Sequence, residues 1–582
     1  MKDSVTWKIG GEAGFGIMSS GTILARAFSR AGYCVFATNE YPSLIRGGHN
    51  IVTVRIATRE IHALEGVVDI LMALNQETVD LHKQELHDGS IVVFDPKDYD
   101  WQASDFSNKP VLVPVPLRGL VEQGAGEPVM RNTIALGVTV GLLGVDFILV
   151  ESVIHDQFTK KGDEVVRRNL AFARSGYDFV KTNLPALQGC HIAPTTKKED
   201  VLVLSGSEAV GLGAVRAGMR FAAIYPMTPI NSLITFLADH AKELRIVYKQ
   251  PEDEIAGINM AIGASIAGVR SMVATSGGGF ALMVEGLSLA GMVEAPLVID
   301  LGMRVGPATG MPTWTEQGEL QFVIHAGHGE FPRVVLAPAD AAEAYTLTIE
   351  AFQLADKYQV PVFLLTDKYI NESQWCVPKT HFQGDVLLDR GKIAQTEALA
   401  SDVSFSRYSL GNDDGISPRS FPGQKHGQYF ANSYEHNEVG HVSEEPMNRK
   451  AMVQKRLKKL SAMSRDILPP SVYGDPEAGV TCVTWGSTRG PVLEALERVG
   501  FAVGGTRVNV VHFSWIYPFP AAQAAALLSK STRIIDVEQN ATGQLSSLIR
   551  EHTGILIQEK LLKYDGRPFF PEEILDKVQS VK

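Results

Sequence analysis

The stretch VYKQPEDEIAGINMAIGASIAG, residues 247–268, decides the fold. It places a short apolar run before three acids and a helix-length segment of apolar and small residues. A helix that is apolar on every side is buried in a core. Two further strand-length runs, SMVATS and PLVIDL, follow it with another apolar helix pattern between them. Buried strands that alternate with helices predict parallel sheets covered by helices, and therefore an α/β fold.

The same alternation extends along almost all of the 582 residues, a length that exceeds one hydrophobic core and predicts several domains. A polar segment with one proline separates the first block from the second. Residues 407–446 lose apolar periodicity and predict a long ordered loop, which a basic helix follows. The predicted organisation is a first domain over 1–187, a linker over 188–200, a second domain over 201–385, an extended loop and basic helix over 386–474, and a third domain over 475–582.

Composition excludes several classes of partner. The net charge of −11 is spread without long charged runs, so neither nucleic acid nor an anionic membrane is expected to bind. No run of 18 apolar residues predicts a membrane span, and the first residues lack signal-peptide features, so a cytoplasmic protein is expected. The four cysteines are far apart, which favours reduced thiols and excludes a ferredoxin-type cluster signature on this chain.

Two glycine-rich segments, GGEAGFGIMSSG at 10–21 and GSEAVGLGAVRAG at 206–218, each predict a strand, a turn and a helix. The N-terminus of such a helix can accept an anion. Neither segment matches the dinucleotide fingerprint with an acidic ribose partner, so close packing is the favoured role for most of these glycines.

The segment YPMTP, residues 225–229, restricts the backbone around one hydroxyl. Pro226 and Pro229 leave few backbone conformations for the two residues between them, Met227 and Thr228. The direction of the Thr228 hydroxyl is therefore expected to be fixed. A simple strand-to-helix turn is the alternative interpretation of this segment taken alone.

Further residues of the second domain extend this candidate site. The acids at 252–254 precede a buried helix, although acids in a first helical turn often only cap it. A glycine triplet after Ser276 allows close backbone approach, and Glu285 and Glu294 stand in apolar surroundings. Arg304 and nearby threonine hydroxyls suit a substrate carboxylate. Together they predict a site at the carboxyl edge of a parallel sheet.

The motifs YPMTP, QPEDEIAGINMAIGAS, TSGGGFALMVEG and RVGPATGMPT, in this order, resemble the pyrimidine-binding domain of the thiamine diphosphate-dependent 2-oxoacid:ferredoxin oxidoreductases. GEAGFG and YPSLIRGGHN resemble the gamma domain of that family. TWGSTRG, WIYPFP and VEQNATGQL resemble its transketolase-like C-terminal domain. The resemblance covers nearly the whole chain and implies the fused gamma-alpha large subunit of the two-subunit members, particularly those acting on 2-oxoglutarate.

The resemblance also implies roles for individual residues. Glu254 matches the carboxylate that hydrogen-bonds N1′ of the cofactor's aminopyrimidine and so promotes removal of the thiazolium C2 proton; Glu252 competes for this role, since a register shift of two would exchange them. Thr228 matches a substrate-contacting threonine, and Arg304 and Thr313 match binders of the substrate carboxylate. The remaining implied cofactor-binding residues are Tyr225, Pro226, Ser276, Gly277 and Glu285.

The chain departs from the family pattern at two positions. Met227 stands where isoleucine is more usual, and Ala308 stands where serine is more usual, which weakens inference about substrate choice. In the gamma-like domain, Arg46 and His49 are candidates for an interface or a coenzyme A route, and structural roles are equally open.

The sequence contains no Gly-Asp-Gly stretch, the motif that clamps the diphosphate through Mg²⁺ in this superfamily. No metal site is therefore expected on this chain. The resemblance implies that thiamine diphosphate is shared with a beta subunit that carries Mg²⁺ and a [4Fe–4S] cluster, in an (alpha-beta)₂ heterotetramer. The implied partners are a 2-oxoacid, coenzyme A and ferredoxin, and the implied products are succinyl-CoA, CO₂ and reduced ferredoxin.

Alternatives remain open at this point. A pyruvate or branched-chain 2-oxoacid enzyme would share these motifs and differ in whether a second cationic group meets a distal carboxylate. A noncatalytic assembly subunit would keep the fold without the cofactor. A self-sufficient transketolase-like enzyme is disfavoured by the missing metal motif. The sequence does not decide the direction of the reaction.

Overall fold

The computed structural model describes residues 2–14, 16–44, 47–99, 101–184, 187, 192–195, 200–395, 399 and 404–580. The chain forms two compact units. Unit 1 contains residues 1–205, 372–383 and 570–575; unit 2 contains residues 206–371, 384–569 and 576–582. None of the described helices is both long and apolar enough to span a bilayer.

Unit 1 is built on an eight-stranded sheet with the strand order β6-β5-β4-β1-β3-β2-β14-β7. Its strands are β1 (Ser4–Glu12), β2 (Cys34–Glu40), β3 (His49–Ala57), β4 (Val68–Ala73), β5 (Leu86–Phe94), β6 (Val111–Pro114), β7 (Val201–Ser205) and β14 (Gln374–Pro378). One half, from β6 to β1, is parallel. The other half is antiparallel. The predicted parallel rhythm therefore holds for half of this sheet only.

The antiparallel half follows from a short connection. Only residues 41–48 join β2 to β3, and a parallel crossover needs about a dozen residues or more. β7 and β14 come from beyond residue 187 yet complete this sheet, and β14 pairs with both β2 and β7. The strands of unit 1 are thus not confined to the first predicted block.

Unit 2 contains a seven-stranded sheet with the order β19-β12-β13-β11-β10-β8-β9, parallel except where β19 joins. A further sheet has the order β15-β18-β16-β20-β21, with β17 paired to β18. The strands of unit 2 are β8 (Phe221–Ala223), β9 (Val247–Lys249), β10 (Ser271–Thr275), β11 (Leu297–Met303), β12 (Val334–Leu336), β13 (Pro361–Asp367), β15 (Ser471–Tyr473), β16 (Val480–Trp485), β17 (Ala502–Val503), β18 (Thr506–Phe513), β19 (Trp515–Tyr517), β20 (Arg533–Glu538) and β21 (Glu559–Leu562).

Helices cover these sheets and seal their apolar cores. In chain order they are α1 (Ile17–Arg30), α2 (Gln76–His82), α3 (Leu117–Gln123), α4 (Met130–Leu143), α5 (Ile148–Phe158), α6 (Asp163–Asn183), α7 (Gly206–Arg216), α8 (Asn231–His240), α9 (Glu254–Ile266), α10 (Gly277–Met292), α11 (Leu320–His325), α12 (Ala341–Tyr358), α13 (Lys368–Glu372), α14 (Pro446–Met463), α15 (Arg489–Arg498), α16 (Ala521–Leu528), α17 (Gln544–Thr553) and α18 (Pro571–Gln579).

In the predicted loop, residues 407–445 form no helix or strand, and residue 446 begins α14. The loop is fixed by buried ion pairs. Asp356 on α12 accepts bonds from Arg270, from Arg390, which precedes the loop, and from Arg419 within the loop. These ion pairs hold in place a segment that lacks the regular backbone hydrogen bonds of a helix or a sheet.

Candidate functional site

The three acids before α9 have three different environments. Asp253 is the N-cap, and its Oδ1 accepts a bond from the amide of Ala256 at 2.7 Å. Glu252 is exposed. Glu254 is only 3% exposed, and its Oε1 is buried without a hydrogen-bond partner among the described residues. Because Asp253 caps the helix, the Glu254 carboxyl is left for another purpose.

The glycine triplet at the start of α10 makes room for this carboxyl. A Cβ at Gly279 would overlap Oε1 of Glu254 and Oγ1 of Thr275. Ser276 precedes the helix, is fully buried, and its hydroxyl has no described partner. Unpartnered buried polar atoms are costly, so their concentration at one strand end indicates a binding site.

Arg304 and Thr228 meet beside this strand end. Nη1 of Arg304 donates to the backbone carbonyl of Thr228 at 2.9 Å, so the half-buried guanidinium is fixed to the YPMTP segment. Thr228 Oγ1 accepts a long bond of 3.4 Å from Nδ2 of Asn231. The arrangement keeps a cation and a hydroxyl available to an anionic ligand.

The segment after Arg304 folds back on itself. The amide of Val305 donates to the carbonyl of Trp314, and the amide of Met311 donates to the carbonyl of Val305. Thr313 lies in this turn, is 4% exposed, and its Oγ1 has no partner among the described residues. It is therefore a third unsatisfied polar group in the candidate site.

Sequence reasoning missed Glu319, which precedes α11. A Cβ at Gly277 would overlap its Oε1, and its Oε2 is buried without a described partner. Burial raises the pKa of Glu319 to about 8; the charge of Glu316 adds to this rise and Arg304 opposes it. The only signal in the sequence was a glutamate directly after a glycine in TEQGEL.

Two predicted cofactor-binding residues are exposed in this chain. Glu285, which the sequence placed in apolar surroundings, lies on the outward face of α10, and Pro226 is also exposed. A helix that is apolar on all sides does not show in the sequence which face lacks a neighbour, and the cofactor role of Glu285 stays a prediction. Tyr225 is half-buried and Gly277 lies at the start of α10, near Glu319.

Glu294 does not belong to the candidate site. It lies just after α10 and is 1% exposed, and its carboxylate binds Nζ of Lys455 at 2.6 Å and Nζ of Lys459 at 2.5 Å. Burial opposes its ionisation, but Lys455, Lys459 and Arg407 outweigh that cost and hold its pKa far below the usual value. The predicted basic helix, α14, thus uses two lysines to neutralise a buried carboxylate.

An apolar face of α9 and α10 is open beside Glu254. Ile255 and Met260 are each 45% exposed, and Leu282 is 52% exposed. Single exposed apolar residues are ordinary, but three on adjacent helices next to a candidate site indicate a surface for another chain.

In unit 1, His49 is buried and its ring stacks on that of His82, with centroids 5.6 Å apart. Burial, together with the charges of His82 and Lys8, lowers the pKa of His49 to about 4. Arg46, the other residue predicted for this region, lies outside the described residues.

Comparison with protein-family models gives two matches. Residues 212–455 match "Pyruvate flavodoxin/ferredoxin oxidoreductase, thiamine diP-bdg", and residues 6–179 match "Pyruvate ferredoxin/flavodoxin oxidoreductase". The first match includes every candidate residue from Tyr225 to Glu319.

Curated relatives extend over the full chain. A 2-oxoacid:ferredoxin oxidoreductase subunit alpha from a Sulfolobus species is 34% identical, and the match covers 99% of this chain and 97% of that relative. The 2-oxoglutarate oxidoreductase subunit KorA of Mycobacterium tuberculosis is 27% identical over 98% of this chain and 90% of that relative.

One solved structure matches over the same extent. The 2-oxoglutarate:ferredoxin oxidoreductase from Magnetococcus marinus, with 2-oxoglutarate, coenzyme A and succinyl-CoA bound, is 32% identical with a TM-score of 0.91, and the match covers 99% of each chain. The similarity therefore includes the whole architecture as well as the motifs.

Proposed function

The chain belongs to the 2-oxoacid:ferredoxin oxidoreductases as a large, thiamine diphosphate-dependent subunit, and we propose that with a smaller beta subunit it converts 2-oxoglutarate, coenzyme A and oxidised ferredoxin to succinyl-CoA, CO₂ and reduced ferredoxin. The reaction takes electrons from the oxoacid as it loses CO₂, and the acyl group passes to the thiol of coenzyme A.

The observation that carries the proposal is the buried Oε1 of Glu254, which has no hydrogen-bond partner among the residues that the structure describes. A shielded carboxyl oxygen in an apolar helix pair fits the N1′ atom of an aminopyrimidine, which supplies the missing hydrogen bond. When bound, thiamine diphosphate supplies the carbon nucleophile that adds to a 2-oxoacid. Glu254 would hold a proton at the pyrimidine ring, and the exposed Glu252 has no comparable setting.

Arg304 and Thr313 are proposed to bind the carboxylate next to the keto group. The guanidinium supplies a charged donor fixed by the Thr228 carbonyl, and the Thr313 hydroxyl is buried and unsatisfied. The hydroxyl of Thr228 supports the same oxoacid. These three residues contribute to the reaction by orienting the bond between the carboxylate carbon and the keto carbon, which breaks when CO₂ leaves.

The beta subunit is proposed to cover the open face of α9 and α10 formed by Ile255, Met260 and Leu282. This face lies next to Glu254, so its cover would also close the cofactor site to water. Since this chain lacks Gly-Asp-Gly and closely spaced cysteines, Mg²⁺ and a [4Fe–4S] cluster are assigned to that partner, in an (alpha-beta)₂ heterotetramer.

The choice of 2-oxoglutarate draws support from the solved structure named as a 2-oxoglutarate enzyme and from the KorA relative. The Sulfolobus relative is named for 2-oxoacids in general, so pyruvate or a branched-chain oxoacid is the second candidate.

The test is co-purification of this chain with its small subunit, followed by ferredoxin reduction assays with coenzyme A and a panel of oxoacids. We expect 2-oxoglutarate to give the highest kcat/KM, and we expect no turnover by the large subunit alone. A preference for pyruvate would overturn the substrate assignment. Lack of turnover with every oxoacid, in a complex that binds thiamine diphosphate, would overturn the activity.

A further inference from the structure

The turn that joins Arg304 to Thr313 is closed by its own backbone. The amide of Val305 donates to the carbonyl of Trp314 at 3.3 Å. Val305 follows Arg304 and Trp314 follows Thr313, so this bond brings together the two residues proposed to bind the oxoacid carboxylate. The conformation of the turn therefore determines whether both residues reach one carboxylate.

Gly566, in the third predicted domain, packs against both sides of this turn within unit 2. A Cβ at Gly566 would lie 3.1 Å from Cβ of Trp314 and 3.3 Å from Cγ2 of Val305. Its φ of +80° is in the left-handed region that favours glycine, and its carbonyl accepts a bond from the amide of Thr315 at 3.3 Å. A larger residue at this position would have to displace the turn.

Gln539, from the segment VEQNATGQL, joins the same two stretches of chain. It is buried, and its Nε2 donates to the carbonyl of Thr315 at 3.2 Å and to the carbonyl of Arg567 at 3.0 Å. Its own carbonyl accepts a bond from the amide of Gln317 at 2.7 Å. The segment directly after Thr313 is thus bonded to both the side chain and the backbone of one glutamine.

Arg567 contacts the turn through its charged group. The central carbon of its guanidinium lies 3.1 Å from the centroid of the Trp314 ring, which places a cation over an aromatic face. Trp314 is therefore held through its ring by Arg567, while its neighbour Thr315 is held by hydrogen bonds. The proposed function uses none of these residues of the third predicted domain.

We call Gln539, Gly566 and Arg567 the C-terminal contact group. We propose that this group positions Arg304 and Thr313 for the carboxylate of the 2-oxoacid. The inference rests on the proposed function, because it takes Arg304 and Thr313 as the residues that bind that carboxylate. It gives the third predicted domain a part in setting the affinity for substrate.

Loss of a contact from this group would let the turn adopt other conformations. Only molecules with the competent turn bind the oxoacid, so the apparent affinity falls in proportion to the competent fraction. At saturating oxoacid the bound carboxylate selects the competent turn, so kcat changes little. The KM for the oxoacid is therefore the sensitive quantity.

The test measures steady-state kinetics of the reconstituted complex with Gln539→Met, which removes the two side-chain hydrogen bonds and keeps a chain of similar length. The KM for 2-oxoglutarate should rise about tenfold, as it does when the competent fraction falls to about one tenth. The kcat and the KM for coenzyme A should stay within about twofold of the unmodified values. Arg567→Met, at a partly exposed position, should raise the same KM and serves if Gln539→Met does not fold. An unchanged KM for 2-oxoglutarate in the folded variants would overturn the inference.

Gln544→Met is the matched control from the same segment. Nε2 of Gln544 donates to the carbonyl of Gly318 at 2.7 Å, and its Oε1 accepts a bond from the amide of Gln321 at 2.9 Å, so its side chain bonds to residues beyond the turn. This variant also loses two hydrogen bonds and should lower the unfolding temperature about as much as Gln539→Met, but the KM for 2-oxoglutarate should not change. An equal rise in KM would show a general effect of destabilisation and overturn the inference.

A double-mutant cycle with Thr313→Val tests whether Gln539 acts through the carboxylate-binding residues. When the Thr313 hydroxyl is absent, its correct position no longer matters, so the two changes together should raise KM by less than the product of their separate effects. A merely structural contribution of Gln539 would leave the effects independent. A simple product would therefore overturn the positioning role.

Hydrogen–deuterium exchange of the complex separates this inference from the proposed function. The amides of Val305, Met311 and Trp314 are bonded within the turn, so exchange in the peptide 305–317 reports its order. Gln539→Met should speed this exchange about tenfold, and Gln544→Met should not. Unchanged exchange in Gln539→Met overturns the positioning role even if oxoacids are turned over. Faster exchange in a complex that turns over no oxoacid overturns the proposed function and supports the contact between the group and the turn.

Discussion

Two buried glutamates from outside α10 lie at its two ends, and they differ in whether they have a partner. At the first turn, Glu254 lies against Gly279 with a carboxyl oxygen that has no described partner. Just beyond the last turn, Glu294 is equally buried but is bound by Lys455 and Lys459 of α14. A buried ion cluster that loses one partner destabilises a fold, whereas a buried carboxyl without a partner in its own chain indicates a binding site.

The largest expected effect is at the unpaired end. Glu254→Gln keeps the side-chain volume but removes the acidic group, so we expect kcat to fall about 10²- to 10⁴-fold in the reconstituted complex. The unfolding temperature should change little because no described contact is lost. Full activity in this variant would show that the unpaired carboxyl of Glu254 has no catalytic role and would contradict the comparison with Glu294.

At the paired end the effect should be on stability. Glu294→Gln leaves two buried lysines without their counter-charge, and breaking such a cluster costs about 3–5 kcal/mol in free energy of unfolding. Chemical denaturation measures this loss. The triple variant Glu294→Gln, Lys455→Met, Lys459→Met removes the stranded charges and should recover most of it; failure to recover would show that Glu294 has another role.

A charge introduced on the open face of α9 and α10 should weaken binding of the beta subunit. Leu282→Asp would bury an unpaired charge under the beta subunit and weaken assembly about 100-fold, equivalent to about 3 kcal/mol. Leu387, which is 87% exposed and lies before the long loop, offers the control Leu387→Asp, which should leave assembly unchanged. Equal affinities for both variants, measured by titration of the beta subunit, would move the interface elsewhere.

Alanine substitutions at two adjacent glycines of α10 distinguish the effect of close packing in the site from the effect of helix propensity. Gly279→Ala places a methyl group on Glu254 and Thr275 and should destabilise the fold by about 1–3 kcal/mol. Gly278→Ala meets nothing closer than the Ala308 carbonyl at 4.0 Å and should stabilise the helix by up to about 1 kcal/mol. Thermal unfolding of the two variants compares them, and equal shifts would show that the pocket is not tightly packed.

The smallest expected effect is the change in the stability of the Glu294 cluster at low pH. Because the folded-state pKa of Glu294 is lowered, its stabilisation is complete above the unfolded-state pKa, near about 4.3, and is lost as pH falls below it. The stability gap between the unmodified chain and Glu294→Gln should therefore shrink by up to about 1.4 kcal/mol per pH unit in acid. A gap that is constant down to about pH 3 would contradict the ion cluster.

Sequence patterns predicted the α/β class, because short apolar runs and apolar helices have few other solutions. They also placed Glu254, Ser276, Arg304 and Thr313 in one domain. They did not show that Glu294 is paired, since it stands in an apolar stretch of the sequence without a nearby base. The tertiary position of α14 supplies the counter-charges, from Lys455, 161 residues along the chain, and from Lys459.

Glu319 and the exposed side of α10 mark the limits of the same reasoning. The local sequence around Glu319 does not predict its contact with Gly277, because the two residues are about forty positions apart in the chain. Likewise, a helix without a polar stripe does not show which face lacks a neighbour, so the exposure of Glu285 could not be predicted. Local patterns specify elements, whereas contacts between distant segments specify a site.

The chain passes between its two units after residues 205, 371, 383, 569 and 575, and β7 and β14 close one side of the unit 1 sheet. A protease cut in the segment 188–200 would therefore not release a self-contained module. A fragment ending there would expose the long edge of β2, which invites pairing with other copies. Any attempt to transplant this region into another enzyme must bring the two distant strands along or build a new border for the sheet.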